Sequence, residues 1–194
     1  MGRSKEFDTT LVLHKAMEVF GHYGYEGTSL QNLLDGLGIA RQSLYDTYGT
    51  KRELFISAVK YYMNEKTDAV ISCLERTGSV KEAIADIIHQ IAAVLKDELR
   101  QKECFILYSA IDQVPHDPDI AAFFKQDMAR LEQAFYKALV RAQKQGEISD
   151  RQDPLALARF LNHARYSLTQ TAKLTSNPEV LDDIAVVILS TLDY

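Results

Sequence analysis

The stretch Gly38–Tyr48, GIARQSLYDTY, decides the fold of this chain. Its leading glycine predicts the end of a helix, because glycine most easily adopts the left-handed conformation that closes one. The residues from about position 40 to 47 predict a helix of about two turns, anchored inward by Leu44. Arginine, glutamine, serine and tyrosine occupy its other positions, so we expect this helix to direct polar side chains outward.

The neighbouring segments predict helices on either side. Before Gly38 lies a leucine-rich helix, which Thr28 and Gln31 open as a capping box. A longer first helix precedes it and ends at Gly24. After the quoted stretch, Thr50 and Glu53 form a second capping box that opens a long helix. Two short helices joined by a glycine turn and braced by a longer one indicate a helix-turn-helix.

In a helix-turn-helix the second short helix lies in the DNA major groove. Arg41 offers a bidentate donor for guanine, Gln42 an amide for adenine, and the hydroxyls of Ser43 and Tyr45 suit phosphates or base edges. Lys51, in the first turn of the next helix, opposes the helix dipole, and a phosphate is its natural partner. The alternative is an ordinary helical hairpin whose polar residues face water.

Three motifs in this region carry a family resemblance. They are F-x-x-x-G-Y-E-G-T-S from Phe20, then G-I-A-R-Q-S-L-Y, then T-K-R-E-L ending at Leu54. The region resembles the N-terminal domain of TetR/AcrR-type transcriptional repressors, which are helical, dimeric and inducible by small molecules. The resemblance implies a set of DNA contacts: base reading by Arg41, Gln42 and Ser43, with phosphate contacts by Thr28, Tyr45, Lys51 and the residue at position 47, here Thr47.

Three departures from the family pattern affect the recognition helix. Thr47 stands where the family frequently has a histidine whose ring meets phosphate. Ala40 stands at its N-cap, where the family usually has Ser or Thr, and alanine there forfeits about 1 kcal/mol of capping. Asp46 adds a negative charge to the same helix. We expect its carboxylate to turn away from DNA, or to pair with Arg41 or a cytosine amino group.

The rest of the chain continues in the same secondary structure. Apolar residues recur every three or four positions, which predicts an all-α fold of about nine helices. Three helix starts combine an N-cap residue with proline at the first helical position: Asp117-Pro118, Asp153-Pro154 and Asn177-Pro178. We predict a DNA-binding domain at residues 1–50 and a helical inducer-binding and dimerisation domain at residues 51–194.

Charge and composition limit the class of protein. The net charge is −5, yet residues 1–52, here called the head, hold six basic and six acidic residues. The acidic excess therefore lies beyond residue 52. A neutral head avoids repulsion from phosphates.

The two cysteines lack metal-binding spacing and no apolar stretch is long enough to span a membrane, so we expect a reduced cytoplasmic protein. No hydrolase, zinc-protease or nucleotide-binding motif is present, and we expect neither an enzyme nor a cofactor.

Candidate effector residues come from the middle helices, which line the inducer cavity in the family. They are His89, Phe105, Tyr108, Phe124, His163 and Tyr166. The alternative for each residue is that it packs in the hydrophobic core and contacts no ligand. Cys104 stands where some relatives carry a reactive cysteine, and the alternative is a small buried hydrophobe. His116, Asp117 and Asp119 could suggest a metal site. The Asp-Pro cap already explains Asp117, however, and nothing supplies a third ligand at a fixed offset, so no metal is expected.

The last two helices carry a wide apolar stripe that a second copy would bury in a two-fold four-helix bundle. Alternatively, both helices complete the core of their own domain. Together these features predict a ligand-responsive regulator, a repressor that binds a palindromic operator as a homodimer and leaves it when a small-molecule inducer binds. The competing interpretation is a helical interaction module with a degenerate DNA-binding head.

Overall fold

The computed structural model describes residues 8–193, and every regular element within them is an α-helix. The all-α prediction is therefore confirmed. The helices are α1 (Thr9–Gly27), α2 (Leu30–Leu37), α3 (Arg41–Tyr48), α4 (Lys51–Glu75), α5 (Val80–Lys96), α6 (Gln101–Cys104), α7 (Ile106–Gln113), α8 (Pro118–Gln145), α9 (Pro154–Leu174) and α10 (Pro178–Ser190).

These ten segments correspond to the nine predicted helices with one subdivision. The helix expected near residues 103–113 is divided at Phe105 into α6 and α7. Another interruption lies within α1, where Gly24 has φ 74° and ψ 167°, so the regular first helix does stop at Gly24 as predicted. Gly38 closes α2 in the left-handed conformation with φ 67° and ψ 31°, which also confirms the prediction.

Proline-linked caps open three of the downstream helices. The Asp117 carboxylate accepts from the backbone N–H groups of Asp119 and Ile120 at the start of α8. Asp153 and Asn177 do the same at the starts of α9 and α10. Each side chain satisfies N–H groups that have no partner within the helix, which is why these three helices begin where the sequence predicts.

The chain forms two compact units, and the first holds the helix-turn-helix. It comprises the residues up to Tyr62 together with Lys102–Ile120. Phe20 and Phe55 pack edge to face in its core, with ring centroids 4.9 Å apart. Helix α7 packs against α1, and the Ser109 hydroxyl donates to the Phe20 carbonyl at 2.8 Å. The later segment is thus part of the structure that supports the helix-turn-helix.

The second unit comprises Met63–Gln101 and the residues from Ala121 onward. Helices α5, α9 and α10 pack against one another in it. Arg130 of α8 donates to Asp68 of α4 at 2.6 Å, and Arg141 of α8 donates to the carbonyl of Leu74 at 2.6 Å. No helix in the described part of the chain is long and apolar enough to cross a membrane.

The two units divide the chain differently from the predicted boundary at residue 50. That boundary follows sequence motifs, whereas the first unit continues into α4 as far as Tyr62 and also takes in Lys102–Ile120. The functional division into residues 1–50 and 51–194 stays a prediction.

Candidate nucleic-acid interface

The helix-turn-helix is held by leucines that point inward from both of its short helices. Leu33 and Leu37 of α2 and Leu44 of α3 are all fully buried or nearly so. Leucine burial of this kind stabilises by about 1.5–3 kcal/mol per side chain. With Leu44 facing inward, the remaining side chains of α3 are directed to the other side of the helix.

Helix α3 exposes most of the residues predicted to contact DNA. Arg41, Gln42, Tyr45 and Thr47 are exposed, and Ser43 is half-buried. The Arg41 guanidinium lies over the Tyr45 ring, with Cζ 5.6 Å from the ring centroid. This cation–π contact restrains both side chains on the same exposed face. The structure therefore brings together a guanidinium, a carboxamide and hydroxyl groups on one short helix.

Asp46 has a partner that the sequence reasoning did not name. Its Oδ1 accepts from Gln42 Nε2 at 2.7 Å, so the carboxylate pairs along the helix with Gln42. The expected partner, Arg41, lies over Tyr45 instead. Residues i and i+4 face each other on a helix, and this spacing was the sequence signal for the pair.

Thr28, a predicted phosphate contact, does not expose its hydroxyl. Its side chain is buried, with 1% relative exposure, and its hydroxyl donates to the Gly24 carbonyl. The capping box at α2 is also shifted by one residue, because Ser29 and Asn32 form it in place of Thr28 and Gln31. The Thr28 hydroxyl already has an acceptor in the preceding turn, which leaves Ser29 to cap α2.

Lys51 is anchored beside the helix-turn-helix. Its Nζ donates to the carbonyl oxygen of Thr28 at 2.6 Å and lies 4.7 Å from the centroid of the Tyr25 ring. Burial is the largest cause that raises the pKa of Tyr25, with the nearby Glu26 carboxylate adding to it. The ammonium of Lys51 is thus held against the Thr28 carbonyl and the Tyr25 ring, while Lys51 itself is the first residue of α4, a helix end that favours an anion.

The helix starts around this surface differ in how they are capped. Ala40 leaves α3 without a side-chain cap, as predicted. At α4, Thr50 Oγ1 accepts from the Glu53 N–H and Glu53 Oε2 accepts from the Thr50 N–H, which confirms the predicted capping box. The hydrogen bond from the Thr50 backbone is the largest cause that lowers the pKa of Glu53, followed by that from the Thr50 hydroxyl. Tyr48 is half-buried and donates to the Thr9 carbonyl at 2.9 Å.

Comparison with known proteins supports the same interpretation. Residues 12–58 match the model of bacterial regulatory proteins of the tetR family. The whole chain is 58% identical over 194 residues to an uncharacterised HTH-type transcriptional regulator, YezE, of Bacillus subtilis, and covers 100% of that protein. This chain belongs to the TetR family. It is also 32% identical to the HTH-type transcriptional repressor ComR of Escherichia coli, over 95% of this chain and 88% of ComR.

Solved structures of transcriptional regulators share the fold over almost the whole chain. One is the regulator CifR, as a cysteine mutant complexed with 26 bp double-strand operator DNA. It has a TM-score of 0.77, 23% identity, and coverage of 98% of this chain and 100% of CifR. A regulator from Saccharomonospora viridis in complex with choline has a TM-score of 0.80 and 16% identity, with 95% of each chain covered. At these identities the likeness shows the TetR fold.

The six predicted effector residues of this TetR-family chain are distributed over both units. Phe105 and Tyr108 are half-buried in the first unit. In the second unit Phe124 is buried and Tyr166 is half-buried, and burial raises the pKa of Tyr166. His89 and His163, however, are exposed, so they do not line an enclosed cavity. Their place on the polar faces of α5 and α9 explains this exposure.

A buried polar cluster in the second unit was missed by the sequence reasoning. Asp127 is 2% exposed and Asn162 is 1% exposed. Asn162 Oδ1 accepts from Arg165 Nη2 at 3.2 Å, while Asp127 Oδ1 and Arg165 Nε have no hydrogen-bond partner in the structure. Burial raises the pKa of Asp127, and the Thr67 hydroxyl and Arg165 charge only partly oppose this effect. Sequence pattern alone gave no signal, because these residues lie on different helices.

Two further candidates have ordinary structural surroundings. Cys104 is buried, with 6% relative exposure, which favours the small buried hydrophobe over an accessible sensor thiol. Asp117 and Asp119 both accept hydrogen bonds from Arg52, so the carboxylates considered for a metal have a cationic partner. Within residues 8–193 no cluster of three or more potential metal ligands occurs.

Proposed function

We propose that this TetR-family regulator is a homodimeric repressor that binds a palindromic operator and leaves it when a small molecule binds its second unit. The observation that carries the proposal is the arrangement of α3. Leu44 anchors the helix inward while Arg41, Gln42 and Tyr45 are exposed. These are the side-chain types that contact base edges and phosphates in the major groove.

The roles of the contact residues follow from their positions. Arg41 reads a base edge, Gln42 and Ser43 read its neighbours, and Tyr45 and Thr47 contact the sugar-phosphate backbone. Lys51 binds a phosphate together with the N-terminus of α4. In this proposal Thr28 acts through its carbonyl oxygen, which holds the Lys51 ammonium, because its hydroxyl is buried.

The dimer would form through the last two helices, as predicted. Val186 and Val187 of α10 are 64% and 63% exposed, and Phe160 of α9 is 44% exposed. Large apolar side chains exposed on two helices that pack against each other are typical of an interaction surface. A two-fold axis through α9 and α10 gives a four-helix contact and two recognition helices, which read half-sites about 34–36 Å apart.

The effector would bind among buried polar and aromatic groups of the second unit. Phe124, which is buried, and Tyr166, which is half-buried, are the predicted contacts that lie in this unit. The unpartnered atoms of Asp127 and Arg165 supply an acceptor and a donor for a polar ligand. The TetR-fold protein in complex with choline is a precedent for a small ligand in this fold.

Release from DNA would be a shift between two populations of the dimer. An effector that binds better to the conformation whose heads do not fit successive grooves lowers operator affinity in proportion to that preference. A ligand that binds both conformations equally would leave operator affinity unchanged.

Selection of bound sites from random duplexes tests the proposal directly. A palindrome with half-sites one helical turn apart is the expected result, because each protomer contributes one α3. Titrations of the selected site at several salt concentrations should give a negative slope of log affinity against log salt. An absence of enrichment together with a flat salt response would contradict DNA binding.

The interaction-module alternative has two observations in its favour. The first 52 residues have equal numbers of acidic and basic side chains, and α3 itself carries Asp46. A module of this kind would bind a protein partner and show no salt-dependent DNA affinity. The same titration therefore separates the two functions.

A further inference from the structure

We infer that Asp46 is a positioning residue for base recognition, which holds the Gln42 carboxamide in one orientation and so sets the base that Gln42 reads. The observation is the hydrogen bond from Gln42 Nε2 to Asp46 Oδ1 at 2.7 Å, between two exposed side chains of α3. The inference rests on the proposed DNA binding and specifies the chemistry of one contact within it.

The direction of the Gln42 amide follows from the chemistry of its partner. An ionised carboxylate only accepts hydrogen bonds, so the amide group facing Asp46 must be the NH₂. Rotating the amide by half a turn would place its oxygen against the carboxylate oxygen and replace an attraction with a repulsion. Without such a partner, the terminal torsion of glutamine is broad and nearly two-fold, and both orientations are accessible.

The fixed amide presents an ordered pair of groups to DNA. Its oxygen, Oε1, points away from Asp46, and the second N–H of Nε2 remains beside it. An acceptor next to a donor matches adenine, whose N6 amino group donates and whose N7 accepts. Cytosine, with its N4 amino donor, satisfies the oxygen alone. Guanine and thymine present no major-groove donor, so their acceptors can take the remaining N–H but leave Oε1 without a partner.

We therefore expect an amino-bearing base, adenine before cytosine, at the position that Gln42 reads. A good bidentate contact is worth about fivefold or more in discrimination against the wrong base. Asp46 also has a cost, because its negative charge faces the phosphates of the bound duplex. Asp46 would thus lower affinity for all sequences while sharpening the choice of one base.

Removal of the charge should separate these two effects. Asp46→Asn keeps the shape of the side chain, but an amide both donates and accepts, so either orientation of Gln42 finds a partner. We expect the variant to bind DNA about twofold to fivefold more tightly, as a single screened surface charge would allow. We also expect it to lose most of its preference for adenine and cytosine at one position.

The chain offers a matched control on the neighbouring helix. Gln31 Nε2 donates to Asp35 Oδ1 at 2.8 Å on α2, which is the same pair at the same spacing. Asp35→Asn removes the same charge from the same unit and should leave every base preference unchanged. Circular dichroism and thermal unfolding of both variants check that the helices remain folded.

The experiment is a selection from random duplexes with the full chain and four variants: Gln42→Ala, Asp46→Asn, Gln42→Ala/Asp46→Asn and Asp35→Asn. Gln42→Ala identifies the position by its loss of preference. In that background, Asp46→Asn should change affinity but no base preference, because Asp46 acts through Gln42.

Three results would overturn the inference while leaving DNA binding intact. They are an unchanged base preference in Asp46→Asn, a wild-type preference for guanine or thymine at the position of Gln42, and no change in preference in Gln42→Ala. If the wild-type chain enriches no sequence and binds without salt dependence, the proposed function itself fails.

Discussion

Arg52 and Asp117 form a two-point ion pair, in which Nε and Nη2 of the guanidinium donate to the two carboxylate oxygens at 2.7 and 2.8 Å. Asp117 simultaneously caps α8, since Oδ1 also accepts from two backbone N–H groups. Asp119 accepts from Arg52 at 2.6 Å as well. One carboxylate thus joins the beginning of α4 to the beginning of α8 within the first unit.

Substitutions at Asp117 should separate its two roles. Asp117→Asn retains an N-cap oxygen but loses the charge that pairs with Arg52, whereas Asp117→Ala loses both. The alanine variant should therefore be less stable than the asparagine variant by about 0.5–2 kcal/mol, the usual value of a cap. Urea unfolding at pH 7 measures the difference. Equal stability of the two variants would show that the cap contributes nothing.

The Arg52–Asp117 pair predicts that the free energy of unfolding depends on pH. The hydrogen bond from Arg52 is the largest cause that lowers the pKa of Asp117 in the folded chain. The stability that the ionised Asp117 contributes is therefore present above its unfolded pKa of about 3.9 and is lost as pH falls through its lower folded pKa. Between about pH 5 and pH 2, Asp117→Asn should lose less unfolding free energy than the wild type. A parallel decline in both proteins would contradict this assignment.

Arg41 and Lys51 should differ in how their loss affects DNA binding. Arg41→Ala is expected to cost about 1–3 kcal/mol and to relax the preference at one base pair. Lys51→Ala should weaken all sequences alike and reduce the salt slope by about one. Titrations of selected and random duplexes at several salt concentrations provide both quantities. If Arg41→Ala lowered both affinities equally, Arg41 would be a backbone contact.

The exposed face of α10 provides a test of the dimer. Val187→Asp places a charge on a side chain that is 63% exposed in the single chain. A dimer formed through α10 would bury this charge without a partner, which strongly opposes association. We expect a monomer by sedimentation equilibrium and a loss of binding to the palindrome. Leu99→Asp is the matched control, because Leu99 is 73% exposed and lies outside the last two helices. A Val187→Asp dimer of wild-type affinity would place the interface elsewhere.

Asp127 should be a site at which a neutral side chain increases stability. Burial raises its pKa, so the folded chain favours the protonated form more than the unfolded chain does. The resulting cost is absent at low pH and appears as pH rises through the unfolded and then the folded pKa. Asp127→Asn should therefore unfold at higher urea than the wild type at pH 7, with the gain vanishing near pH 3. Asp68→Asn, which alters an exposed partner of Arg130, should give no such gain.

Local rules were sufficient to predict much of the head. Gly38, Leu44 and the Thr50–Glu53 box each depend on neighbouring residues, and the structure agrees with all three. The predicted α2 cap lies one residue too early, since both Thr28 and Ser29 carry a hydroxyl and only the contact to Gly24 distinguishes them. Here the deciding interaction belonged to the preceding turn.

Interactions between distant segments could not be predicted in the same way. Arg52 and Asp117 are 65 positions apart, and nothing in either local sequence indicates the other. The buried cluster around Asp127 and Asn162 likewise depends on how α8 and α9 pack. The exposure of His89 and His163 shows the related limit, because membership of a middle helix does not determine the face on which a residue lies.

The return of residues 102–120 to the first unit means that the head is not encoded by one continuous stretch. Gly21 illustrates the dependence, since a Cβ there would come within 2.8 Å of the Lys102 carbonyl oxygen. A ribosome must therefore synthesise more than half of the polypeptide before the partner surface of α1 exists. Cutting the gene after codon 50 would leave that surface unprotected, because the helix-turn-helix unit is complete only once Ile120 has been synthesised.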